Sequence, residues 1–297
     1  MKTEKNKRSV EEVIEQHKSS GKFIDVDGIN TFVLDKGEGE VVFCIHGVPT
    51  SSYLYRKVID SLAAKGMRGV SIDLPGLGLS DRPKDFEYTF HTFARFCARA
   101  AEVLGIQKYH LLIHDIGGPI GFAMAAENKQ KVLSLTILNT WIEVDKFKKP
   151  LPMRPFEMPV LGEAELLTIT HPTWYLLFSQ MGVNHADALP REEVDAYVDL
   201  LKREDDGKAF LKIMRHFEKS DEFKKLCYQA VENVPYPIQA VWGADDPALD
   251  YDHFGNEIKQ AANLDTVHKL ASRHFLQEEK WEEIADLVVK QASTRGA

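Results

Sequence analysis

Several common protein classes are excluded by what this 297-residue chain lacks. Its three cysteines, Cys44, Cys97 and Cys227, are odd in number and widely separated, which argues against a disulfide framework or a cysteine-based metal site. No stretch approaches the roughly 18 consecutive apolar residues of a membrane helix. Met1 to Gln16 carries both charge signs and no apolar centre, so no secretory signal is expected. Basic residues are outnumbered, 37 Lys and Arg against 45 Asp and Glu, for a net charge of -8; a phosphate-tracking protein needs the opposite balance. No internal repeat or low-complexity tract is present. The expectation is a cytoplasmic globular protein with no membrane and no nucleic-acid partner.

What is present is an alternation of short apolar runs and helix-compatible segments. Lys22 to Val26 and Thr31 to Leu34 flank Asp27-Gly28, a hairpin signal. Val41 to Ile45 is continuously apolar, as befits a strand covered on both faces. Helix-compatible sequence to about Ala64, a strand at Gly69 to Ile72, a helix over Phe90 to Leu104, a strand at Tyr109 to Ile113, a helix over Pro119 to Glu127 and a strand at Val132 to Leu138 follow. Such a rhythm predicts βαβ units and a mainly parallel sheet. From about Asp145 to Val234 only helical patterns occur, entered through a proline-rich stretch, Pro150 through Pro159, that reads as a linker. Strands return at Ile238 to Trp242 and Thr266 to Leu270, before a closing helix over Trp281 to Lys290. A helical insertion between parallel strands finds room at the carboxyl edge of the sheet, where such sheets bind ligands.

Asp115 stands where the strand Tyr109 to Ile113 meets its helix, beside Gly117 and Gly118. Strand, sharp turn and helix with small flanking residues is the pattern of a nucleophile elbow. A carboxylate needs no general base to attack an sp³ carbon, and it leaves an ester that activated water can cleave. The competing reading of a lone Asp before a helix is an N-cap.

Taken in order, His46 to Arg56, Asp73 to Pro83, His114 to Gly118, Trp242 to Pro247 and His274 to Glu278 resemble the haloalkane dehalogenases of the α/β-hydrolase superfamily and, slightly less closely, its epoxide hydrolases. The resemblance implies a mostly parallel eight-stranded sheet flanked by helices, with a core domain of residues 1–144 and 235–297 and a helical cap domain of residues 145–234 inserted after the sixth strand. It assigns Asp115 as nucleophile, His274 as the base that activates water and Asp246 as the acid that orients His274, with the adjacent Asp245 as competitor. The backbone N–H groups of Val48 and Ile116 form the implied oxyanion hole. Asn139, at a position where some dehalogenases carry their acid, cannot ionise and reads as structural. No cofactor and no metal are implied; the partners are a small apolar organic substrate and water.

The sequence departs from the dehalogenase pattern where the halide is usually held. The position after the nucleophile, commonly Trp, is Ile116, and the position after His-Gly, commonly Asn, is Val48; neither side chain can donate a hydrogen bond. One missing donor of this kind costs ~2.7–4 kcal/mol of transition-state stabilisation. Two adjacent aromatics in the insertion, Trp174 and Tyr175, are candidates to contact the leaving group: Trp174 as a halide donor, Tyr175 as an acid for an epoxide oxygen. Tyr197 and Tyr228 are further candidates for that acid. Three functions follow in order: a dehalogenase-like hydrolase, an epoxide hydrolase, and a non-catalytic ligand-binding protein on the same scaffold.

Overall fold

The computed structural model describes residues 8–294. Eight strands form one sheet: β1 (Lys22–Val26), β2 (Ile29–Lys36), β3 (Val41–Ile45), β4 (Arg68–Ile72), β5 (Tyr109–Ile113), β6 (Val132–Ile137), β7 (Ile238–Gly243) and β8 (His268–Leu270). Their spatial order is β1-β2-β4-β3-β5-β6-β7-β8. β3 to β8 pair in parallel, whereas β2 runs antiparallel to both β1 and β4. The β1–β2 turn is the one expected, because Asp27 and Gly28 both take positive φ, 51° and 86°, as a tight hairpin turn requires.

The central strands are apolar throughout because both faces are covered. Phe43, Ile45, Leu111, Ile113, Leu135 and Ile137 enter one core with helices Phe90–Val103 and Gly117–Glu127. Their alternates Val42, Cys44 and Leu112 enter a second core with helices Arg56–Ala64 and Trp281–Ser293. Each large aliphatic side chain buried this way contributes ~1.5–3 kcal/mol of transfer free energy. All three cysteines are buried and free. No helix among the described residues is long and apolar enough to cross a membrane.

Between β6 and β7 the described chain contains no strand but five α-helices: Leu161–Thr168, His171–Leu177, Arg191–Lys202, Lys208–Arg215 and Asp221–Gln229. The proline-rich entry is not the linker expected from composition. It forms a 3₁₀ helix, Leu151–Glu157, whose Phe156 is buried against the Phe210 ring at 5.1 Å. Proline's fixed φ suits a short helical turn as well as an extended spacer. The helical segment is clamped to the strand ends by charge-assisted bonds. Arg82 Nη2 donates to Leu200 O and Arg203 Nη2 to Leu79 O, each at 2.8 Å. On the other side Arg56 bridges Glu193 at 2.8 Å and Glu278 at 2.5 Å, while helix Val10–Ser19 packs on Arg191–Lys202.

Candidate active site

β5 delivers Asp115 at a backbone conformation that L residues seldom adopt, φ 55°, which turns the side chain out of the strand direction before the helix Gly117–Glu127 begins. The neighbours must be small. A Cβ on Gly117 would strike the Ile45 carbonyl, one on Gly118 the Thr140 hydroxyl, and one on Gly47 the Asp115 carboxylate itself. The turn is tied on each side: the Asp115 N–H donates to Asn139 O at 2.9 Å, and its carbonyl accepts from Gly118 N at 2.9 Å and Thr140 Oγ1 at 2.6 Å. Asp115 Oδ1 accepts the Val48 N–H at 2.8 Å. Oδ2 lies 3.6 Å from His274 Nε2.

His274 follows β8 and reaches back across the strand ends. Its Nδ1 meets Asp246 Oδ2 at 2.8 Å. Asp246, not Asp245, is the carboxylate brought to it. Asp246 has a fully buried side chain and accepts further from Asn139 Nδ2 at 2.7 Å and from Ala248 N and Leu249 N at 2.8 and 3.1 Å. Asp245 is exposed and bonds Asn184 Nδ2 at 2.8 Å. Asn139 is thus a brace: its Oδ1 also takes the Gly243 N–H at 2.7 Å, fixing the end of β7 that carries Asp246. Beneath the pair, His114 Nε2 donates to the His274 carbonyl at 2.8 Å.

With this geometry goes a match over residues 40–280 to the family described as alpha/beta hydrolase fold. The chain belongs to that family. Over 108 residues it is 38% identical to haloalkane dehalogenase 2 of Mycobacterium tuberculosis, covering 36% of this chain and only 37% of the length of that curated relative. Among solved structures, Cfl2 of Burkholderia cenocepacia is similar with a TM-score of 0.78 and 26% identity, covering 91% of this chain and 94% of that one. Epoxide hydrolase VrEH1 of Vigna radiata is similar with a TM-score of 0.72 at 21% identity, covering 91% and 96%, a likeness of fold.

In this α/β hydrolase the buried charges control one another. Burial alone disfavours a charged His274, but Asp246 and Asp115 on its two sides reverse that and raise its pKa to about 10. Burial likewise opposes the Asp246 charge, yet His274 and the two backbone N–H groups hold its pKa below the ordinary carboxylate value. His114, buried and beside His274, is pushed down to about 3 and stays neutral. Among the described residues no cluster of His, Cys, Asp and Glu could hold a metal ion.

Asp115 and His274 form part of the wall of a predominantly apolar cavity of about 90 Å³. Strand-end residues such as Val48, Trp141 and Leu249 line it from one side, and Trp174, Phe178 and Met153 of the helical segment from the other. Of the two adjacent aromatics, Trp174 lines the cavity and Tyr175 does not; Tyr175 lies under the Arg191 guanidinium at 4.2 Å. The Trp174 indole N–H is buried without an acceptor among the described residues. Tyr197 donates to Glu278 and Tyr228 to Glu143, and neither lines the cavity. Ile116 and Val48, whose N–H groups were expected to face the developing oxyanion, are both buried, and the Val48 N–H already holds Asp115 Oδ1. Three contributors escaped the sequence reading. Met181 O and Gly182 O accept the His274 and Phe275 N–H groups at 3.3 and 2.7 Å, backbone contacts that carry no residue signature. The third is Lys149, which lines the cavity from within a lysine-rich stretch, Lys146-Phe147-Lys148-Lys149.

Proposed function

We propose that this α/β hydrolase displaces a leaving group from an sp³ carbon through a covalent ester on Asp115, as a haloalkane dehalogenase-like enzyme, with residues 145–234 serving as a cap domain over the core of 1–144 and 235–297. One observation carries the reading: a carboxylate stands at the elbow with one oxygen on a backbone N–H and the other facing His274 Nε2 at 3.6 Å, at the wall of an apolar cavity. Oδ2 is the attacking atom. It forms the bond to carbon while the carbon–leaving-group bond breaks and the leaving group departs with the electron pair.

Oδ1 then becomes the ester carbonyl oxygen and is already on the Val48 N–H. His274 Nε2 takes a proton from water as that water attacks Asp115 Cγ; the negative charge collects on Oδ1, where Val48 and Ile116 N–H groups stabilise it. Collapse expels the alcohol, which takes that proton back from His274, and leaves Asp115 as a carboxylic acid; its proton passes to His274 Nε2, which restores the carboxylate beside a protonated imidazole. The electrostatics support this order. In the resting site His274 is held protonated between two carboxylates. Esterification removes one of those charges, so His274 sheds its proton more readily once there is an ester to cleave.

The orphan Trp174 N–H is the group that fits a departing halide. An epoxide hydrolase needs a proton donor for the opening oxygen, and Tyr175, Tyr197 and Tyr228 all stand off the cavity wall, which favours the halide reading. A purely binding protein would have no need of the Asp115, His274 and Asp246 arrangement. The test is trapping. In His274→Ala, exposure to 1-bromohexane should add a hexyl mass to the peptide containing Asp115, and the wild type should release bromide faster than it opens styrene oxide. An unmodified Asp115 peptide in the variant, with no bromide released by the wild type, refutes the assignment.

A further inference from the structure

Among the described residues lining the active-site cavity, three are ionisable: Asp115, His274 and Lys149. The reaction above uses the first two and leaves Lys149 without a task. Its side chain is 2% exposed. Nζ sits 3.6 Å from the centre of the Phe217 ring, itself part of the cavity wall, and pairs with Glu157 Oε1 at 2.5 Å. An ammonium carries three N–H donors, and only this one acceptor is found among the described residues. Taking such a group out of water costs more than a single hydrogen bond returns. Glu157 is 36% exposed on its side chain, so the pair is open to solvent at the carboxylate while the ammonium faces aromatic surface. Burial accordingly pulls the Lys149 pKa down, against Glu157, which supports the charge.

A continuous aromatic wall links this cation to the nucleophile. Thr140 holds the Asp115 carbonyl; the next residue, Trp141, stacks on Phe147 at 3.7 Å and lies 6.0 Å from Phe217, over which Lys149 sits. An apolar channel with a reacting carboxylate at one place and a partly unsatisfied cation at another fits a molecule that is apolar in the middle and anionic at one end. We propose that Lys149 is a specificity-determining residue that binds a substrate carboxylate, so that the substrate class is an aliphatic acid carrying its leaving group on a remote sp³ carbon, such as a bromoalkanoate. The reaction type is taken from the Asp115 reading; the recognition of the acid is not.

Binding of two unreactive probes separates the two ideas. Hexanoate and 1-hexanol are titrated calorimetrically into the folded protein, and the ratio of their affinities is compared among wild type, Lys149→Met and Glu157→Gln. A charge-assisted hydrogen bond is worth roughly tenfold or more in affinity. The expected ratio favours hexanoate in the wild type, falls by about tenfold or more in Lys149→Met, and rises in Glu157→Gln, where the competing carboxylate is gone. Glu157→Gln keeps the lysine in place, so it decides the matter even if Lys149→Met does not fold. A wild type that prefers hexanol, or a ratio that stays or falls in Glu157→Gln, overturns the proposal. So does a kcat loss in Lys149→Met that is equal for 1-bromohexane and 6-bromohexanoate, since that would make Lys149 a leaving-group contact. Failure of ester trapping with 1-bromohexane strikes only the Asp115 reading, because the affinity ratio involves no chemistry.

Discussion

His274 should make the protein less stable as pH rises through the neutral range, and Asp246→Asn should abolish that slope. The native pKa of His274 is raised from the ordinary 6.5 to about 10 by Asp246 and Asp115, against burial. A group whose folded pKa is raised contributes stability that is fully present below the unfolded value and is lost as pH climbs through the folded one. Between about pH 7 and 8.5 the native state therefore keeps a proton that the unfolded chain has released. One retained proton gives a slope of about -1.4 kcal/mol per pH unit, or roughly 2 kcal/mol across that window. The other perturbed histidines and the cysteines act mainly outside it. Burial lowers His17 to about 4 and His114 to about 3 and depresses His46, so these cost stability only as pH falls below about 6.5. Buried Cys44, Cys97 and Cys227, ordinarily near 9.0 and raised by desolvation, act mainly above it. Urea unfolding at pH 7.0, 7.5, 8.0 and 8.5 measures the slope directly. In Asp246→Asn the leading cause of the raised pKa is gone, burial prevails, and the curve should flatten whatever the overall loss of stability. A wild-type slope near zero, or one that survives unchanged in the variant, refutes a protonated resting His274.

Two further substitutions probe the proposed leaving-group contact and the elbow. Trp174→Phe keeps an aromatic ring but removes the half of the indole that carries the unpartnered N–H; bromide release should fall by about 10²- to 10³-fold in kcat, with a loss of thermal stability from the smaller buried ring. Unaltered kinetics in that variant would remove Trp174 from the leaving-group site. Gly117→Ala sets a methyl against the Ile45 carbonyl, backbone that cannot swing aside, and should destabilise by about 1–3 kcal/mol in urea titration, whereas Gly28→Ala meets no atom and is strained only by its φ of 86°.

The readability of the sequence varied with how local the controlling physics is. β3 and β5 lie at Val41–Ile45 and Tyr109–Ile113 as expected, because a short apolar run between turn residues admits few alternatives in a doubly covered sheet. Asp115 was legible for the same reason: strand, carboxylate, two glycines and helix are contiguous. Composition alone could not separate Asp245 from Asp246, and only the spacing of the resembled families favoured Asp246; in the fold the Asn139 amide and His274 imidazole contact Asp246 from 107 and 28 residues away. Trp174 and Tyr175 posed a similar problem on a helix, where neighbours point about 100° apart and only packing selects the inner one. Pro150 through Pro159 misled because proline reports a fixed φ, not whether the segment is packed. Lys149 was hidden by its company. A lysine beside Lys146 and Lys148 reads as solvated, and only the fold turns this one inward.

The same contacts explain why the helical segment and the loop bearing His274 cannot be treated as independent parts. The His274 and Phe275 N–H groups end on Met181 O and Gly182 O, at the end of the helical stretch that carries Trp174. Four residues beyond His274, Glu278 is fully enclosed and takes charge-assisted bonds from Arg56 of the core and a hydroxyl from Tyr197 of the segment. Arg56 in turn reaches Glu193 on the Tyr197 helix. A displacement of that helix would therefore pull on the loop bearing His274 from two sides, through backbone at one end and through a buried ion pair at the other. Since removing one member of a buried ion pair strands its partner at a cost of ~3–5 kcal/mol, the arrangement resists movement strongly. Under the proposed mechanism the wall that selects the substrate and the base that completes turnover are held by one network, and substitutions that reshape the segment around residues 193–197 should alter ester hydrolysis as well as binding.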